Sequence, residues 1–302
     1  MAVVEARREA VTPAGDWAGY AGFAGASLIW GSTFLVITFS NSVVAPLWGA
    51  TLRLAIAAVL LAAVALLLRV RFPRGAALRD VALYGALAGT NLALLYWGER
   101  EVPSGITAVV FATAPLQTAL YSRLLAVEAL DRVKVVGAIV AVAGVATIFA
   151  GQLGTGVPAP ELAAVLGAST VAAIGAVLLR RAGRQSTWAV NAISAPLGGA
   201  VCLAASVALG ERWTLPATID QWWPVVYLAV LGSLGAFVLF TWLVTRWSAT
   251  TASFIGVVVP VIALILGAIF HAERPPLVSF LGAALVVGAV VLVLTRSRAA
   301  AH

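Results

Sequence analysis

The run "FATAPLQTALYSRLLAVEAL" (residues 111–130) places Pro115 inside a membrane-length apolar stretch and a carboxylate, Glu128, thirteen residues later. The same arrangement returns in "GVVVPVIALILGAIFHAER" (256–274), with Pro260 and then Glu273. Both members of the pair are displaced by 145 positions, with no gap. Laying 96–149 over 241–294 also superposes Trp97 on Trp242 and Gly137 on Gly282. A chain that repeats a bend and a corner charge at a constant offset is built from a duplicated unit.

The surroundings of these stretches fix the solvent. Of the 302 residues, 62% are hydrophobic and 10% charged, and the mean hydropathy is +1.03. Soluble domains carry about a quarter charged residues, and about 20 apolar residues span a bilayer as a helix. Apolar runs between polar, Gly or Pro punctuation predict ten helices near 18–40, 45–68, 81–98, 104–125, 132–151, 160–180, 188–209, 222–245, 250–271 and 277–295. The short connections leave no room for a soluble domain, and the alternation of a membrane β-barrel is missing. The expected class is an all-α polytopic membrane protein of ten transmembrane helices.

Charge orients it. With the N-terminus inside, fifteen of the 19 Lys and Arg residues fall on the cytoplasmic side, and only Arg100, Arg212 and Arg274 on the other. Arg53 stands alone within a span. The net charge of +7 thus follows from the positive-inside rule and not from a nucleic-acid partner. Both termini are expected in the cytoplasm of a bacterial-type inner (plasma) membrane, with no cleavable signal and no disulfide, since Cys202 is the one cysteine. The predicted organisation is a cytoplasmic tail 1–17, a five-helix repeat 18–150, a linker 151–159, a second repeat 160–295 and a tail 296–302. Five is odd, so the second unit enters the membrane inverted. Such pairs commonly hold a substrate site near the midplane between them.

The motifs then resemble a known family. "WGSTF" (Trp30–Phe34), Arg53 after Pro46, "YWGEREVPSGITAVVFATAPL" (Tyr96–Leu116) and the two Pro-to-Glu spacings are similar to EamA-type members of the drug/metabolite transporter superfamily. The second unit departs at its start: "GASTVAAIGAVLLRR" (167–181) has no WGS, and the helix after it has no Arg. The resemblance implies secondary active export of small metabolites or amino acids by alternating access; a sugar or nucleotide-sugar carrier is the alternative within transport. An intramembrane enzyme would need a cluster of His, Asp or Glu residues, and the two histidines, His271 and His302, do not supply one. No enzyme activity, cofactor or metal is therefore expected. There is no Walker-type loop for ATP. Protons as coupling ion and a homodimer stay open as partners besides lipid and a small-molecule substrate.

Single residues carry two readings each. Pro115 and Pro260 release the carbonyls of Phe111 and Gly256 and bend their helices, either as packing kinks or as the flexing wall of a cavity. Glu128 and Glu273 read as corner carboxylates that favour helix N-termini and pair with Arg132 or Arg274, or else as gates. Arg53 cannot remain unpaired in lipid: it is either a structural ion pair or a grip for a substrate carboxylate. Glu99 is its candidate partner, and could alternatively take up protons or cap a helix near Ser104. Substrate-pathway candidates are Trp30, Ser32, Thr33, Arg53, Asn91, Tyr96, Trp97, Gln117 and Trp242. For the polar ones, ordinary interhelical bonding competes; for the aromatic ones, interfacial anchoring does. Small residues at Gly137, Ala141, Gly144, Ala284 and Gly288 permit close helix contact, within the bundle or between protomers.

Overall fold

The computed structural model describes residues 15–153, 156–270 and 276–296. Among these, every regular element is helical: α1 (Trp17–Asn41), α2 (Pro46–Leu67), α3 (Gly75–Gly98), α4 (Ser104–Ala112), α5 (Ala114–Leu124), α6 (Arg132–Ile148), a 3-10 turn (Ala150–Gln152), α7 (Ala159–Arg181), α8 (Thr187–Ala208), α9 (Ile219–Tyr227), a π-helical stretch (Leu228–Gly235), α10 (Ala236–Arg246), α11 (Ala249–Ser253), α12 (Ile255–Phe270) and α13 (Leu277–Arg296). Six described helical segments are long and apolar enough to cross a bilayer, namely α2, α7, α8, α9 through α10, α11 through most of α12, and α13. Hydrocarbon selects this class because only helices or closed barrels satisfy their own backbone there.

Local chemistry explains the boundaries. Pro46 opens α2 at the first turn, where its missing N–H costs nothing. Asp131 caps α6, its carboxylate accepting from the Val133 amide at 2.8 Å. Pro115 sits in the first turn of α5, so the expected single helix over 104–125 is broken at Thr113. Pro260 lies inside α12, and the expected single helix over 250–271 is broken ahead of it, at Phe254. The expected helix over 222–245 also differs, because its middle is π-helical.

The halves pack by a common rule. α6 lies against α13, and α2 against α8; α3 meets α7 as α1 meets α10; α5 meets α7 as α1 meets α12; α3 meets α8 as α2 meets the π stretch. Exchanging first half for second maps α6–α13 and α2–α8 onto themselves and each other pairing onto its counterpart. The details follow suit at the α6–α13 contact. Gly137 packs against Val293, and 145 positions on, Gly282 packs against Ile148. A methyl built on Gly144 would stand 2.8 Å from the Gly282 carbonyl oxygen. The small residues of these two helices therefore serve contact within the bundle. Ala284 and Gly288 line an outer apolar groove of ≈ 560 Å³. At the bends, the released Phe111 carbonyl comes to 3.8 Å from a methyl built on Gly256, its partner by the same offset.

Candidate functional site

Arg53 projects from the second turn of α2, whose apolar neighbours bury it to 3% exposure. Its Nε donates to Ser233 Oγ at 2.9 Å, and the Tyr96 hydroxyl of α3 stands beside the guanidinium. Ser233 belongs to the π stretch. There a wider turn displaces the ladder and re-aims side chains, a geometry frequent at functional sites. Gly232 makes the room: a methyl on it would lie 3.1 Å from Arg53 Nη2 and 2.9 Å from Thr33 Cγ2.

The WGSTF turn of α1 closes over the same stretch. Trp30 Nε1 donates to the Gly232 carbonyl at 3.3 Å, and its ring packs edge-on against Phe237 at 5.4 Å and, tilted, against Phe240 at 5.3 Å. Ser32 Oγ shares a 2.7 Å hydrogen bond with the Tyr227 hydroxyl. Thr33 Oγ1 donates to the Trp30 carbonyl at 2.7 Å. Next to Ser233 lies a cavity of ≈ 20 Å³ lined by Tyr84, Asn191, Ser194, Gly198 and Phe237 among others. That is room for about one water. The Tyr84 hydroxyl is buried there without a hydrogen-bond partner among the described residues. Asn191 Nδ2 donates to Thr241 Oγ1 at 2.8 Å, tying α8 to α10.

Trp30, Ser32, Thr33, Arg53 and Tyr96 thus converge on one place. The other candidates do not. Asn91 Nδ2 donates to the Ala168 carbonyl at 2.9 Å, joining α3 to α7. Gln117 Nε2 donates to Thr113 Oγ1 at 2.8 Å and Ser169 Oγ at 3.0 Å beside the α4–α5 break, and its Oε1 is buried without a partner. Trp97 is half-buried on α3. Trp242 lies at one end of the bundle, under the Arg246 guanidinium at 4.9 Å.

The carboxylates correct several expectations. None of the described ion pairs includes Arg53, so Glu99 is not its partner. Nor does the Glu99 side chain make a described hydrogen bond to the start of α4. It sits just past α3, and burial pushes its carboxyl up to about 7. Glu128 does occupy a helix N-terminus, but across the halves. Its oxygens accept from the Ala249 amide at 2.7 Å and the Thr250 hydroxyl at 2.9 Å, opening α11. Its cationic neighbour is Arg180, at 3.6 Å, and not Arg132. Glu273 and His271 lie outside the described residues.

The same end of the bundle holds two further bridges between the halves. Asp16 takes a two-point bond from Arg246 (2.6 and 2.8 Å) and one from Trp247 Nε1 at 2.9 Å. The arginine holds its carboxyl well below the usual carboxylate range. Asp80 takes two bonds from Arg181, both 2.8 Å. At the opposite end, Glu211 accepts from the Leu47 and Trp48 amides that open α2, at 3.1 and 2.9 Å.

Sequence reading missed Ser233, Gly232, Tyr227 and Tyr84. The signal available for the first two was "LGSLG" (231–235), two glycines around a serine inside a span.

The model of the EamA-like transporter family matches residues 17–150 and again 160–295. The chain belongs to that family. YedA, an uncharacterized inner membrane transporter of Escherichia coli (strain K12), is 32% identical over 268 residues, covering 88% of this chain and 87% of its own. A probable terminal-alkyne amino-acid exporter of Streptantibioticus cattleyicolor is 29% identical over 246 residues, with 81% and 82% covered. One crystal structure superposes with a TM-score of 0.78 at 22% identity over 91% of this chain and 96% of that one, which shows a shared fold. This EamA-like protein is an integral membrane protein with the family's two-repeat architecture and a transporter role.

Proposed function

We propose that the protein is a secondary active exporter of small metabolites, amino acids foremost, residing in a bacterial inner membrane. Its ten spans form two inverted repeats, 18–150 and 160–295, with a linker at 151–159 and the tails 1–17 and 296–302 in the cytoplasm. One cavity between the halves opens to either side in turn, the halves rocking about the broken α4–α5 and the proline-bearing α12. Glu99, half-buried and titrating near neutrality, is the candidate coupling carboxylate for protons.

The observation that carries the reading is that the helix pairings survive exchange of the halves while the cavity beside Ser233, the partner of Arg53, lies where the halves cross. The Streptantibioticus relative, a probable terminal-alkyne amino-acid exporter, favours amino acids. A nucleotide-sugar carries at least two phosphate charges, against which this site sets one guanidinium. That disfavours the nucleotide-sugar alternative.

Two measurements test the proposal. Purified protein in liposomes, loaded with labelled amino acids, should release one or more of them under an imposed proton gradient. No movement of any solute would end the carrier reading. Cysteines introduced beside 128 and 273 in a Cys202→Ala background should label from opposite sides of the membrane; labelling from one side would end the inverted topology.

A further inference from the structure

We infer that the Arg53 guanidinium, with Ser233, is the seat of a carboxylate on the transported solute, so that the substrate class is a compact molecule bearing one free carboxyl group. This rests on the carrier reading above and names the chemistry of its site.

Arg53 is almost fully buried, and every described partner it has is neutral: Ser233 Oγ at 2.9 Å and the Tyr96 hydroxyl. A charge withdrawn from water without an opposite charge is costly. All four described ion pairs of the protein form at the end where Asp16, Asp80 and Glu128 lie, and none reaches Arg53. Of the five guanidinium N–H donors, one is used by Ser233. The site is therefore built for a cation and lacks a counter-charge of its own among the described residues. A ligand carboxylate supplies both the charge and two coplanar acceptors, which suits an arginine fork better than a lysine point charge.

The cavity agrees with this from a second side. Ser233 is both the Arg53 partner and part of the cavity wall, and the Tyr84 hydroxyl in that wall is buried without a partner. Asn191 and Ser194 add neutral polar atoms. No carboxylate lines this cavity among the described residues. Recognition is thus by the acid group, with hydroxyls and amides left for the rest of the solute. At ≈ 20 Å³ the cavity is closed on itself. A solute several times larger enters only when the halves part, and Gly232, pressed against Thr33 and Arg53, is where that parting frees the guanidinium.

The test begins with the unmodified protein in liposomes preloaded with the twenty standard amino acids, each labelled. For every one that moves, its unlabelled free acid is compared as inhibitor with its own primary amide and methyl ester. The free acid should inhibit at least about 30-fold better than either, the scale of a lost charge-assisted pair. Arg53→Met should abolish flux, Arg53→Lys should retain a part of it, and Ser233→Ala should raise the half-saturating concentration several-fold. In detergent, the free acid should raise the Tm of the wild type and not of Arg53→Met. Equal inhibition by acid and amide, or full flux through Arg53→Met, overturns the inference while the carrier reading stands. Absence of all flux removes the carrier reading itself and this inference with it. Should Arg53→Met fail to fold, the acid-against-amide series on the wild type still decides.

Discussion

Two crossings in this protein are related by exchange of its halves, and they are filled in opposite ways. Where α3 crosses α8, glycine meets glycine: a methyl built on Gly89 would stand 2.5 Å from the Gly198 carbonyl oxygen, and one on Gly85 would stand 2.6 Å from Ser194 Cα. Where the π stretch crosses α2, the corresponding space holds the Arg53 side chain, with Gly232 and Ser233 around it. One crossing closes backbone against backbone and leaves only a cavity of ≈ 20 Å³ beside it. The other holds a buried cation. Duplication supplied the scaffold, and the divergence of a few residues turned one of two related contacts into one that holds a buried cation.

The largest expected effect comes from erasing that difference. Ser194 is buried at the α3–α8 crossing. Ser194→Arg should leave little or no folded protein on size-exclusion chromatography, because a guanidinium there has neither room nor counter-charge; the expected cost exceeds about 3 kcal/mol. A well-folded Ser194→Arg would show that the two crossings are interchangeable. Gly89→Ala comes next. Its neighbours are backbone atoms that cannot turn aside, so the expected loss is ~3 kcal/mol, read as a lower midpoint in thermal or chemical unfolding. Gly232→Ala presses only on the ends of Thr33 and Arg53, which can shift, so the expected loss is ~1 kcal/mol, with weakened flux. Equal losses at Gly89 and Gly232 would mean that the π crossing is as rigid as its counterpart.

A pH-dependent effect concerns the end of α3, beyond the α3–α8 crossing. Burial raises the Glu99 carboxyl to about 7 from its ordinary 4.5. The fold therefore favours the protonated acid. Its contribution to stability is complete below about 4.5 and is lost as pH rises through about 7. Glu99→Gln should match the wild type in Tm at low pH and exceed it by a growing margin up to neutrality, level thereafter. A constant difference across that range would place the group in water.

Much of the fold was legible without coordinates. Hydropathy gave an all-helical membrane chain, and the offset of Pro115 and Glu128 from Pro260 and Glu273 exposed the duplication. The site was legible only in pieces. "WGSTF", Arg53 and Tyr96 were named, and three elements from the first half do converge. Their meeting point lies on the second half, in residues 228–235, whose composition reads as an ordinary apolar span. Asn91, Gln117 and Trp242 looked like equal candidates because polarity and aromaticity within a span do not tell which neighbour a helix face meets. Glu128 illustrates the same gap: its role at a helix N-terminus was foreseen, but the helix is α11, over a hundred residues away.

By itself the sequence determined the solvent, the helical class and the doubling of the unit, since each follows from local composition or from comparing the chain with itself. The tertiary structure alone decided which partners meet: that Arg53 faces Ser233 and not Glu99, that Glu128 answers Arg180, and that glycines close one crossing while opening the other. Hydrocarbon rewards any apolar helix face alike, so the pattern along a span fixes that it spans. Which face meets which neighbour is set by backbone approach and by paired polar groups, and these belong to the packed bundle.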